Sequence, residues 1–221
     1  MTERFPLAVL ASGRGSNLQA LIDAQRAGTL PIDIVLVAGD KQQALALRRA
    51  EEAGIPTLAL DPKTYPDRAA FDTDLFTRVA AYRPRLIVLA GFMRILNAAV
   101  LAPWAGRIIN IHPSLLPKYR GLHTHRRALE AGDAVHGSSV HYVTAELDGG
   151  PMIAQVQMPI LPGDTDETLA ERLLPHEHRL LVAVLAHIAA ARIALHGTDV
   201  SLDGRVLSSP LRLREDGVLA A

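Results

Sequence analysis

The sequence predicts an α/β fold: a mostly parallel twisted sheet with helices on both faces, Rossmann-like in its N-terminal half and carrying an antiparallel strand pair in its C-terminal half. Three observations predict it. Before residue 110, short apolar runs alternate with helical patterns, the grammar of βαβ crossovers. The first run breaks into a glycine-rich turn, Gly13-Arg14-Gly15-Ser16-Asn17. Beyond Asn110 the alternation stops, and two strand-like runs are joined by Ala145–Pro151, a loop too short for a parallel crossover.

Taken in order, Phe5 to Ala11 is a continuous apolar run, as expected of a strand buried on both faces. Leu18, Leu21 and Ile22 keep helical spacing, and Gly28 stands near the end of that helix. Ile32–Val37 is a second strand, stopped at Gly39-Asp40. Gln42–Ala53 is rich in Ala, Leu and Arg and closes at Gly54, a second helix. Thr57–Leu60 is a short third strand, and Asp61–Asp67 is a loop. Arg68–Tyr82 is a helix with Phe71, Leu75, Phe76 and Val79 on one stripe. Leu86–Ala90 is the most apolar strand and ends at Gly91. Later come a short helix over Leu122–Ala131, strands over Ser138–Thr144 and Met152–Ile160, and a long helix from Thr165 to about Leu195. Pro175 is expected to kink or interrupt that helix. From Gly197 the chain reads as a hairpin at Asp203-Gly204 followed by a frayed tail.

Composition narrows the function. The chain has 221 residues, and 23 Lys+Arg balance 23 Asp+Glu, which argues against coating nucleic acid. Without cysteine there is no disulfide, no thiolate nucleophile and no zinc–thiolate site. No apolar run reaches the roughly 18 residues that span a bilayer. The first residues run into a strand with no export signal, so a cytoplasmic protein is expected, with neither membrane nor nucleic acid as a partner.

The glycine-rich turn lies between a strand and a helix, where backbone N–H groups can meet an anion. It also reads as a tight βα turn with Ser16 or Asn17 capping the helix. A dinucleotide fingerprint would want glycine where Leu18 stands and an acidic residue about 20 positions on. Asp40 is 27 positions after Gly13. A phosphate site for a mononucleotide-sized ligand is the better reading.

Ile108-Ile109-Asn110-Ile111-His112-Pro113 sets an amide and an imidazole two residues apart, on one face of a strand that proline ends. The pair either caps a loop or manages an oxyanion. For the second role the imidazole needs an orienting carboxylate, and Asp148, 36 residues on in Leu147-Asp148-Gly149-Gly150, is the candidate. Asn110 as oxyanion donor, His112 as acid/base and Asp148 as its support describe acyl-type transfer by direct attack of an acceptor amine. Ser114 sits in a proline-bounded turn, so a serine-hydrolase arrangement is disfavoured. His123/His125 and His176/His178 are two apart, cannot share a helix face, and no metal site is expected. His141, in an alternating strand, reads as structural.

The run Asn110–Pro117 together with Leu147–Gly150 resembles the folate-dependent formyltransferase family. Ser12–Gln19, Leu89–Leu96 and Lys118–His125 extend the likeness, in order, across nearly the whole chain. The resemblance implies transfer of formyl from formyl-tetrahydrofolate to the amine of glycinamide ribonucleotide. Asn110, His112 and Asp148 become the catalytic trio, with Asp148 raising the pKa of His112. Gly15, Ser16 and Asn17 would hold the ribonucleotide phosphate, and Glu177 would contact the same substrate. Arg68, Met93, Arg94, Ile95, Leu96 and Asn110 match folate-side positions, as does the loop Thr144, Ala145, Glu146, Leu147 and Asp148. One domain over 1–221 is expected: a phosphate-binding half (1–104), a catalytic and folate half (105–196) and a tail (197–221), as a monomer or homodimer.

The chain departs from the family at Ala145, where an acidic residue is frequent, which favours a backbone role for that loop. It departs too at Leu174-Pro175-His176, in place of a polar triplet, and at Arg14, in place of a smaller residue. Within the family, a methionyl-tRNA formyltransferase would want an added RNA-binding domain. A formyl-tetrahydrofolate hydrolase would want a regulatory domain ahead of Phe5. From another class, the chain could be a nucleotide-binding module whose trio is structural.

Overall fold

The computed structural model describes residues 4–220. They form two compact units, divided between Asn110 and Ile111.

In the first unit, β1 (Phe5–Leu10), α1 (Ser16–Arg26), β2 (Ile32–Gly39), α2 (Leu45–Glu52), β3 (Thr57–Ala59), α3 (Arg68–Ala81) and β4 (Leu86–Leu89) alternate as expected. A short α4 (Ala98–Leu101) precedes β5 (Ile108–His112), whose pairing with β4 runs from Ile87↔Ile108 to Leu89↔Asn110. All neighbours are parallel, in the order β3-β2-β1-β4-β5. From β1 the chain steps outward to β2 and β3, then returns to β4 on the other side of β1. Because such crossovers are right-handed, α1 and α2 cover one face and α3 the other. The reversal opens a crevice at the C-terminal ends of β1 and β4, where open α/β sheets take ligands. Leu7, Val9, Leu10, Ile87 and Val88 are fully buried, which is why these strands read as unbroken apolar runs. Asp67 caps α3 by accepting the Ala70 N–H at 2.8 Å, and the stripe Phe71, Leu75, Phe76 and Val79 is buried.

In the second unit, α5 (Thr124–Glu130) is followed by β6 (Val135–Tyr142) and β7 (Met152–Pro159), antiparallel as expected. The register slips between Val140 and His141. Thr165 and Thr168 form a reciprocal capping box at the start of α6 (Asp166–Ala189). Its apolar face buries Leu169 and Leu173 against Met158 of β7.

Four expectations are corrected here. α2 starts at Leu45, because Lys41–Ala44 closes a turn (Ala44 N–H to Lys41 O, 3.1 Å) and Ala44 is extended. β6 starts at Val135, where its ladder with Pro159 begins. The long helix is not interrupted at Pro175 and ends at Ala189; Ala191 takes φ 55° and turns the chain into β8 (Ile193–His196). Nor is the tail frayed. β8, β9 (Asp199–Leu202) and β10 (Arg205–Val206) make an antiparallel sheet, with Asp203 and Gly204 (φ 51° and 77°) forming the expected hairpin turn. β11 (Leu211–Leu213) then adds parallel to β7, and β12 (Leu219–Ala220) pairs antiparallel with β11.

Candidate active site

The first unit brings two predicted segments together at the switch point. Ser12 lies just beyond β1, is buried, donates its N–H to Gly91 O (3.0 Å) and accepts the Met93 N–H on Oγ (2.9 Å). The glycine-rich turn and the run Met93, Arg94, Ile95 and Leu96 are thus joined directly. Gly15, not Ser16 or Asn17, is the N-cap of α1: it adopts φ 69°, and no side chain caps the helix. That conformation favours glycine, which has no Cβ to strain it. A Cβ there would also stand 2.7 Å from Ala46 Cα. The N-terminus of α1 is the positive end of the helix dipole, an arrangement that can meet an anion. Arg14 is exposed, and its carbonyl accepts from Arg49 Nε at 3.0 Å. Leu96 is buried, whereas Met93 and Ile95 are among the exposed large apolar side chains. Arg68 opens α3 and is exposed, and the Arg94 guanidinium lies 4.5 Å over the Phe71 ring.

Asn110 and His112 share one face of β5. His112, in the second unit, is buried, with Nε2 3.0 Å from the Tyr119 carbonyl and Nδ1 3.5 Å from Asp148 Oδ2. A carbonyl only accepts, so Nε2 carries a proton and the Nδ1 edge faces the carboxylate. Asp148 Oδ2 also accepts the Gly121 N–H at 2.9 Å, and Oδ1 stands 3.6 Å from His141 Nε2. His141 in turn directs Nδ1 at the Tyr142 carbonyl, 2.9 Å away. Tyr119, His123 and Asp148 all adopt positive φ (57°, 59° and 48°), conformations that cost energy and gather at functional sites. The Asp148 loop also packs tightly, for a Cβ on Gly150 would stand 1.8 Å from Tyr142 O. Thr144, Ala145, Glu146 and Leu147 lead into it; Leu147 is exposed, and Glu146 pairs with Arg120.

Charge and burial oppose one another here. Burial lowers the His112 pKa most strongly, while the Tyr119 carbonyl and Asp148 push it back up. The net direction is down, so Asp148 supports the imidazolium without outweighing burial. For Asp148, burial acts upward, but the His141 bond, the Gly121 amide and both imidazoles hold the carboxyl below its ordinary value. Ser114 is fully buried and donates Oγ to the Lys118 carbonyl at 2.6 Å, so its hydroxyl is committed to the turn. Ser138 donates to the His112 carbonyl (2.8 Å) and Ser139 to the Ser114 carbonyl (2.7 Å), fastening residues 112–114 to β6. Glu177, read from sequence as an exposed helix charge but for the resemblance, is buried on α6.

Sequence reasoning missed His141 and Tyr119. The inward alternation of β6 was the only signal for His141, and Tyr119 supplies a backbone carbonyl, which no side-chain pattern reveals. His125, considered above for metal, instead contacts His136 (Nδ1 to Nε2, 3.0 Å). Among the described residues no group of three or more His, Cys, Asp or Glu is arranged around a metal position.

A buried imidazole between a carboxylate and a carbonyl, on a strand that also carries an amide, is an arrangement suited to acid–base chemistry at a carbonyl centre. Comparison with known proteins agrees. The formyl transferase family profile matches residues 6–185, and the chain belongs to that family. Phosphoribosylglycinamide formyltransferase of Escherichia coli K12 is 46% identical over 201 residues, 91% of this chain and 95% of that protein. The enzyme of the same name from Coxiella burnetii, solved in complex with CHES, superposes with a TM-score of 0.89 at 48% identity, covering 93% of this chain and 97% of that one. Glycinamide ribonucleotide transformylase 1 of Symbiobacterium toebii gives 0.88 at 42% identity, covering 91% and 95%. The α/β architecture is theirs. No helix among the described residues is long and apolar enough to cross a membrane.

Proposed function

We propose that the chain transfers the formyl group of formyl-tetrahydrofolate to the amine of glycinamide ribonucleotide, a step of purine biosynthesis. The observation that carries this reading is the buried His112, held by Tyr119 O and Asp148, in a site whose nearby serine hydroxyl is already committed. With the Ser114 hydroxyl committed to the turn, the substrate amine attacks the formyl carbon itself. The new C–N bond forms as the carbonyl pair moves onto oxygen, and the Asn110 amide and His112 stabilise that oxyanion. Nε2 is the tightly held ring atom; Nδ1 is the edge that can be shared with substrate, and it donates to the oxyanion in the imidazolium form that Asp148 supports. Collapse breaks the bond to the folate nitrogen, which takes up a proton as the incoming amine gives one up. No step calls on a metal ion.

Gly15, Ser16 and Asn17 take the ribonucleotide phosphate on the α1 N-terminus, and Glu177 contacts the same substrate. The folate-side residues are Arg68, Met93, Arg94, Ile95, Leu96 and Asn110 of the first unit and the loop Thr144–Asp148 of the second. The exposed Met93, Ile95 and Leu147 supply apolar surface for the folate rings. The partners are these two small molecules, and the chain works as a monomer or homodimer in the cytoplasm. The test is to mix the protein with glycinamide ribonucleotide and formyl-tetrahydrofolate and follow tetrahydrofolate release by absorbance, with the formylated product weighed by mass spectrometry. Matched release and product are expected. Formate in place of product, or no turnover by folded protein, overturns the reading.

A further inference from the structure

The side chain of Asp72 is completely buried in α3, and nothing in the trio uses it. Its Oδ2 accepts the Asn97 N–H at 2.9 Å, while its Oδ1 is buried without a hydrogen-bond partner. Asn97 directly follows the run Met93–Leu96, and Ser12 Oγ holds the other end of that run at the Met93 N–H, 2.9 Å away. The loop is therefore tied down at both ends by buried side chains. Inside it, Arg94 stacks on Phe71, the residue next to Asp72, and its Nε is buried without a hydrogen-bond partner. Arg68 lies four positions before Asp72, on the same helix face.

A buried carboxylate with an unsatisfied oxygen costs stability. Burial accordingly pushes the Asp72 pKa up, against the Asn97 amide and the charges of Arg94 and Arg68. A neutral amide of the same shape would serve the Asn97 N–H equally well.

We propose that Asp72 is a positioning residue for the folate side: its carboxylate pins the Met93–Asn97 loop through Asn97. This rests on the assignment of Met93–Leu96 to the folate. Asp72→Ala removes the acceptor for Asn97, and Asp72→Asn restores it without the charge. The KM of Asp72→Ala for formyl-tetrahydrofolate rises about three- to tenfold, the worth of one hydrogen bond, and that of Asp72→Asn returns to within about twofold of wild type. In both variants kcat and the KM for the ribonucleotide stay within about twofold.

A lower Tm with all kinetic parameters moving together makes Asp72 structural and overturns the proposal, as does an unmoved folate KM in Asp72→Ala. Should that variant fail to fold, Asn97→Pro removes the same hydrogen bond from the loop side, at a residue whose φ of −69° suits proline. It too must raise the folate KM alone, and an unchanged value overturns the proposal. Wild-type turnover tests the underlying reading, and the variant-to-wild-type ratio tests the proposal, so the two fail separately.

Discussion

Asp148 is shared with His141: Oδ1 stands 3.6 Å from His141 Nε2, on the oxygen that does not face His112. The register slip between Val140 and His141 falls at the residue whose ring supports that oxygen. Bulges next to active sites re-aim a side chain in this way. His141 is thereby a positioning residue for the carboxylate that supports His112.

That relationship predicts the behaviour of His141→Gln. Removing the imidazole takes away one of the contacts that, with the Gly121 amide and His112, hold Asp148 below its ordinary pKa. Asp148 then protonates at a higher pH, and the acid limb of the kcat/KM profile moves upward. At the optimum, kcat falls about ten- to a hundredfold, the worth of one charge-assisted hydrogen bond. The ribonucleotide KM stays put. A pH–rate profile with an unmoved acid limb would remove His141 from the site.

His112→Ala separates chemistry from binding. The glycine-rich turn at Gly13–Asn17, proposed to take the phosphate, is made by other residues, so calorimetric affinity for the ribonucleotide is expected to stay within about threefold. Loss of acid–base and oxyanion assistance lowers kcat by about 10²–10⁴. If affinity collapses with rate, His112 holds the fold and is not the reacting acid.

Gly15→Ala tests the phosphate turn. The substituted residue would have to keep φ 69° with its Cβ 2.7 Å from Ala46 Cα, which costs about 1–3 kcal/mol in denaturant unfolding. The turn relaxes away from α1, so the ribonucleotide KM rises while the folate KM does not. Equal increases in both would mean that the turn serves the whole unit and not the phosphate.

Much of this was legible because period-2 and period-3.6 patterns report burial. The stripe Phe71-Leu75-Phe76-Val79 and the apolar run of β4 are core for the reason that they read as core. Asn110 and His112 were visible because two polar side chains interrupt an otherwise apolar strand at one parity. Asp148 stood out between glycines and a strand end. The end of α6 was hidden, since Ile193-Ala194-Leu195 continues the Ala/Leu composition of the helix and only the φ 55° of Ala191 breaks it. The C-terminal strands were hidden as well, because β11 is three residues long and its pairing with β7 depends on a partner distant in sequence. Asp72 was masked by its place on a helix that is well explained by its apolar stripe.

The pair His125–His136 sets the pH range of the second unit. His136 Nε2 lies 3.0 Å from His125 Nδ1, and the ring also bonds the Pro113 carbonyl, next to His112. Burial, then the His125 charge, push the His136 pKa down from 6.5 to about 4, against the pull of Asp133 and that carbonyl. The unfolded chain therefore takes up a proton near pH 6.5 that the folded chain refuses until about pH 4. Stability is full above that window and falls as pH drops through it, by roughly 2–4 kcal/mol. Urea unfolding at a series of pH values should show this slope, and His136→Gln, which cannot take up the proton, should flatten it. Parallel curves for wild type and variant would assign the acid sensitivity elsewhere. Because the His136 ring holds the residue beside His112, activity should decline in the same window in which the fold loosens.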